Sequence, residues 1–284
     1  MFSLASNFVK RLFQKTLKIE SKEPKAALLP LSSEHRSFLN SRVAFFQKLD
    51  QEDKLLFEKR VFLFFDITKV IGHDVEVSDE DCLLIAAAAI MLVWKLPDWH
   101  YINLHTVYLV SSSFNENAEL AKADSAIVGL VGNGDLYGKM ILSQTALHQG
   151  FNIGNDKHNV AIHEFAHLID MKDGNADGFP ERLQRYSFAM PWLELVRQET
   201  LKIQQGQSDI NDYASTNPVE FFAVTTEYFF EQPALLKRKH PEIYASLKKM
   251  YKNDLTAIQK TRDVRKKSPC PCNSGKRYKH CCAI

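Results

Sequence analysis

The twelve residues Asn159-Val160-Ala161-Ile162-His163-Glu164-Phe165-Ala166-His167-Leu168-Ile169-Asp170 constrain this chain more than any other stretch. Apolar side chains at 160, 161, 162, 165, 166, 168 and 169 leave little of the circumference polar, so the segment reads as a helix buried in the protein interior. His163 and His167 stand at i and i+4 and therefore lie one above the other on a helix face. From there both imidazoles can reach one Zn²⁺ ion. Glu164 sits beside the first of them, where its carboxylate can hold a water and take its proton.

A third protein ligand would leave a fourth position open, which marks a catalytic rather than a structural zinc. Two residues compete for the role. In one known pattern the third ligand follows the second histidine by six residues, at Asp173, but that pattern needs a glycine midway, and Asp170 stands there. The other candidate is a glutamate from a later helix. Asn217 is a good N-cap, Pro218 fits the first helical position, and Glu220 lies in the first turn. Glu220 would serve equally as the capping-box partner of Asn217. Glu227, seven residues on, shares its face. Spacing alone leaves the choice open. Asp170, about one turn past His167, is placed to orient a ligand imidazole. His148 and His158 read as structural or exposed.

Around this helix the chain alternates in character. Ser32 or Ser33 caps a helix through Phe46, and the pattern from Asp50 to about Lys95 is helical, interrupted at Gly72, with Val75–Val77 as a short extended link. Ser78 and Asp81 approximate a capping box for the thirteen-residue apolar run Cys82–Trp94. That run is shorter than the ~18–20 residues of a membrane-spanning helix, so it reads as a buried core helix with Cys82 an inert thiol. Ile102, Leu104, Thr106, Tyr108 and Val110 alternate as a strand would, and Lys139–Ser143 reads as a second strand after Gly132, Gly134 and Gly138. An extended substrate would pair with this second strand. Helices, then strands, then helices predict an α+β, mostly helical fold rather than a parallel βαβ sheet.

His163-Glu164-Phe165-Ala166-His167 with Asp170, then Asp212-Tyr213-Ala214, Asn217-Pro218-Val219-Glu220-Phe221-Phe222-Ala223-Val224 and Glu227-Tyr228-Phe229-Phe230, resemble the Mlc titration factor A family of zinc-dependent peptidases. The likeness runs from about Leu31 to Leu255. It implies a mostly helical, gluzincin-like (zincin-like) metallopeptidase domain with a small sheet whose edge strand holds the peptide. It also implies His163, His167 and Glu220 as zinc ligands, Glu164 as general base, and Tyr213 as a donor to the oxyanion. The family's name implies a second role, the titration of a transcriptional repressor.

Four of the five cysteines, Cys270, Cys272, Cys281 and Cys282, crowd the end of the sequence. With a turn at Asn273-Ser274-Gly275 they offer four thiolates to a closed tetrahedral zinc site, whose binding would supply most of the folding free energy of so short a segment. The run resembles the SEC-C motif, which implies a docking module for a protein or the ribosome. The net charge of +2 is segregated: +4 over residues 1–26, +11 over 236–284 and −13 between them. Basic ends on an acidic body suit an anionic partner.

The organisation expected is a basic amphipathic appendage over 1–29, a zinc metallopeptidase domain over 30–255, a linker over 256–268 and a zinc knuckle over 269–284. The appendage would lie on a membrane or pack on the body. Lys10, Arg11, Lys15 and Lys18 break up any export signal, so the expected location is cytoplasmic. The function expected is zinc-dependent hydrolysis of a peptide or protein substrate, with one catalytic and one structural zinc. The alternative is a regulatory protein that sequesters a repressor.

Overall fold

The structure is a computed structural model and describes residues 31–96, 99–111, 129–132, 136–153, 156–184 and 189–256. The readings of the N-terminal appendage and of the cysteine knuckle lie outside these residues. The chain divides into two compact units, Met1–Asn253 and Asp254–Ile284. The elements below belong to the first.

Helix α1, Ser33–Arg42, begins in a capping box in which Ser32 Oγ accepts from the His35 N–H at 3.2 Å. It stops at Val43, a buried residue in extended conformation, and the helix expected to run on to Phe46 resumes as α2, Ala44–Gln47. Helix α3, Gln51–Ile67, is capped by Asp50 and held to α1 by the paired Arg36–Glu58 bonds, each 2.8 Å. Strand β1, Lys69–His73, follows. It falls inside a stretch whose apolar run reads as helical, and pairing with a distant strand overrides that local pattern. Gly72 is required there, because a β-carbon would stand 2.1 Å from the Val75 carbonyl oxygen.

The apolar run forms α4, Asp79–Leu92, with the expected Ser78–Asp81 capping box. Every residue from Asp81 to Leu92 is buried, which is why the run shows no polar stripe. Then come β2, Leu104–Val110, β3, Gly129–Val131, and β4, Gly138–Ser143. Helix α5, Gln144–Ile153, leads to α6, Val160–Asp170, the helix of the two histidines. A 3₁₀ turn at Met171–Asp173, α7, Glu181–Gln184, and α8, Ala189–Gln204, follow. A second 3₁₀ turn, Asp212–Ser215, precedes α9, Pro218–Glu231, and the first unit closes with α10, Pro233–Lys239, and α11, Pro241–Tyr251.

The mostly helical body with a small sheet agrees with the α+β expectation. The sheet corrects it in one respect. Its order is β1-β2-β4-β3, with β1 parallel to β2 and β2 parallel to β4, so β1–α4–β2 is a parallel crossover. Only β3 runs antiparallel, pairing Leu130 with Ile141. The strand expected to receive an extended substrate, Lys139–Ser143, is therefore bonded on both sides and has no free edge. The edge on that side of the sheet is β3. Helix α6 packs against α4, α9 and β3, and Phe165 on its inner face meets Tyr101 and Phe64 edge-on at 5.0 and 6.0 Å.

Candidate metal centre

Asn159 starts α6 by accepting the Ile162 N–H on Oδ1 at 3.1 Å. One turn of helix then sets the His163 and His167 rings edge to face, 4.7 Å between centroids. Asn217 starts α9 the same way, taking the Glu220 N–H at 3.0 Å, with Pro218 at the first position. The Glu220 carboxylate does not complete that cap. It turns to α6, where Oε2 lies 3.0 Å from His163 Nε2 and 3.6 Å from His167 Nε2. One donor atom from each of the three residues falls within 4.8 Å of the others, the sole such group among the described residues. Asp173, the competing candidate, is exposed and spends Oδ1 on the Asn175 N–H at 3.0 Å.

Glu227, two turns along α9, reaches the far side of His163. Its Oε1 is 2.7 Å from Nδ1, and its Oε2 accepts the Asn159 N–H at 2.6 Å. Asp170 makes no hydrogen bond to a ligand imidazole, although its charge acts on His167. Its Oδ2 accepts the Gly178 N–H at 2.8 Å, while Oδ1 is buried without a partner, as is Nδ1 of His167. Gly178 has φ of +75°, and a β-carbon there would stand 2.2 Å from the Pro218 carbonyl oxygen, so Asp170 pins the loop that rests on the start of α9. His148 lies elsewhere, 2.7 Å from Asp81, and His158 is exposed at the mouth of the cavity described below.

Three carboxylates, Glu164, Glu220 and Glu227, surround two imidazoles. Burial opposes charge on Glu220, but the bonds to His163 and His167 outweigh it and hold the carboxyl well below the usual range. Burial likewise opposes charge on His163, and the bonds to Glu220 and Glu227 override it, raising the imidazole well above its ordinary value. Glu164 is 5% exposed, and burial pushes its carboxyl up against the pull of the two histidines. Tyr213, in the 3₁₀ turn before α9, tilts over His163 at 6.1 Å between ring centroids. Burial and the charges of Glu220 and Glu164 push its phenol up to about 12.

The donors suit a divalent ion of zinc's type. Two imidazole nitrogens and one carboxylate oxygen converge, and the Glu227 carboxylate on Nδ1 of His163 leaves Nε2 as the inward nitrogen. Beside them lies a cavity of about 510 Å³ lined by His163, Glu164, Tyr213, Glu227, Asn159 and Gly129 among others. Gly129, on β3, rests directly on the Glu164 carboxylate: a β-carbon would stand 2.5 Å from Oε1. Nothing in the sequence near Gly129 marks this role, since it arises only when β3 is laid over α6.

Residues 17–252 match the family model of the glucose-regulated metallo-peptidase M90. The chain belongs to that family. The match takes in part of the segment read above as an appendage. Residues 267–283 match the SEC-C motif, as the cysteine spacing suggests. An uncharacterized protein of Synechocystis sp. is 31% identical over 234 residues, covering 78% of this chain and 84% of its own. The Mlc titration factor A of Edwardsiella ictaluri is 31% identical over 123 residues, 41% of this chain and 46% of its own. That of Yersinia enterocolitica is 26% identical over 153 residues, 52% and 56% respectively. The chain thus spans about half the length of these titration factors. The M90 assignment agrees with the resemblance drawn from the sequence. No helix among the described residues is long and apolar enough to cross a membrane.

Proposed function

We propose that this M90 protein is a cytoplasmic zinc-dependent peptidase that hydrolyses peptide bonds at His163, His167 and Glu220, with Glu164 as general base. The observation that carries the proposal is the convergence of donors from α6 and α9, 57 residues apart in sequence, beside a buried glutamate on a substrate-sized cavity. When bound, zinc supplies Lewis acidity that polarises the scissile carbonyl and acidifies water. The chain's own groups do the rest. Glu164, its basicity raised by burial, takes the proton of the attacking water and passes it to the leaving amine. Tyr213, whose phenol is pushed up to about 12, is protonated at neutral pH and donates a hydrogen bond to the oxyanion. The outer edge of β3, which has no strand partner among the described residues, takes the extended peptide by main-chain hydrogen bonds.

In the same reading the domain runs from 30 to 255, and 256–268 links it to a knuckle in which Cys270, Cys272, Cys281 and Cys282 hold a structural zinc and dock a protein or the ribosome. The relatives named Mlc titration factor A favour a second reading, in which the body sequesters a transcriptional repressor and cleaves little. Exchange of Glu164 for glutamine separates the two. Peptide cleavage should fall by about 10²–10⁴-fold, while zinc and any repressor remain bound. Cleavage that persists in the glutamine variant would remove the peptidase mechanism.

A further inference from the structure

The geometry points to Glu227 as the residue that positions His163 and thereby sets how tightly the centre holds a divalent ion, an inference that rests on the metal-centre reading above. One carboxylate makes two short bonds, from Oε1 to His163 Nδ1 at 2.7 Å and from Oε2 to the Asn159 N–H at 2.6 Å. Asn159 is the N-cap of α6, and its own side chain is tied to the Ile162 N–H and the Gly150 carbonyl. Glu227 is therefore anchored on backbone at the root of the histidine helix. At 5% exposure it has no room to swing into solvent.

An anionic acceptor on Nδ1 keeps the proton there and presents the lone pair of Nε2 inward, and it makes the imidazole a stronger donor to a cation. The second histidine lacks such support. Nδ1 of His167 is buried and unpartnered, and the nearest carboxylate along the helix, Asp170, spends one oxygen on Gly178 and leaves the other unpaired. Orientation of the two imidazoles is thus lopsided and concentrated in one side chain. Glutamine at 227 keeps one acceptor oxygen and puts an NH2, which cannot accept, in place of the other, so it serves His163 Nδ1 or the Asn159 N–H but not both; alanine removes both acceptors and the charge.

The test is zinc affinity, read by competition with a chelator, in the full chain with Cys270, Cys272, Cys281 and Cys282 replaced by serine so that only this centre binds. Glu227→Ala should bind zinc roughly 10-fold to 100-fold more weakly, with Glu227→Gln between it and the parent. The visible spectrum of bound Co²⁺ should shift in the alanine variant, since ring orientation alters the ligand field. Zinc affinities of both variants within two-fold of the parent, with an unchanged Co²⁺ spectrum, would overturn the inference and leave the metal centre standing. So would a variant that loses only the thermal stability of its metal-free form. A parent that binds no zinc would overturn the metal-centre reading itself.

Discussion

A β-carbon at Gly129 would stand 2.5 Å from Oε1 of Glu164, 2.7 Å from its Cγ and 2.7 Å from Cγ2 of Val160. All three are side-chain atoms of α6, and two belong to the buried Glu164, so a methyl group fits only if that side chain or the strand moves. Gly129→Ala should push the carboxylate off its position or lift β3. Displacement of a reacting group by about an ångström costs roughly 100-fold. Peptide cleavage by Gly129→Ala should fall by that order while bound zinc stays at the parental level; a parental rate would show that Glu164 has slack. His163, Glu164 and His167 were legible in sequence because helix periodicity alone puts them together. Glu220 was not separable from Asp173 by spacing, since its place depends on how α9 crosses α6. Asp170 keeps one oxygen for the Gly178 amide and leaves the other, like Nδ1 of His167, without a hydrogen bond, a division that helix spacing does not reveal.

At the scale of elements, Asp81 does more than complete a cap. It is fully buried and accepts from the Ser78 N–H at 2.7 Å, from Gln144 at 2.9 Å and from His148 at 2.7 Å, so it ties the start of α4 to α5. Burial opposes its charge, but these bonds outweigh it and lower its pKa below the usual 3.8. A depressed folded value means stability that is present above the ordinary carboxylate value and lost as pH falls through the folded one. Asp81→Ala should therefore cost about 2–4 kcal/mol at neutral pH, measured by urea unfolding, and the gap to the parent should narrow as pH drops below about 4. A gap independent of pH would mean that packing, not charge, is lost. The capping box was legible, as Ser78 and Asp81 lie three apart. The ties to α5 were not, because they span more than sixty residues. Strand β1 was hidden for a similar reason. Val70 and Ile71 continue an apolar run from α3, and only their register against Val107 and Tyr108 makes them a strand.

Across the whole molecule, a body of charge −13 over residues 27–235 precedes an end of charge +11 that carries the SEC-C match at 267–283. The M90 match ends at residue 252, so the two signatures do not overlap. Each carries its own donor set, imidazole and carboxylate in one and thiolate in the other, and in the proposed account each holds its own zinc. The central claim is the first of these sites. It is tested most directly by the zinc content of the full chain, compared with that of a His163→Ala/His167→Ala double variant shown by circular dichroism to be folded. The account predicts about two zinc ions per chain falling to about one. Zinc content unchanged by the double substitution would contradict it, because the metal would then lie elsewhere than between α6 and α9.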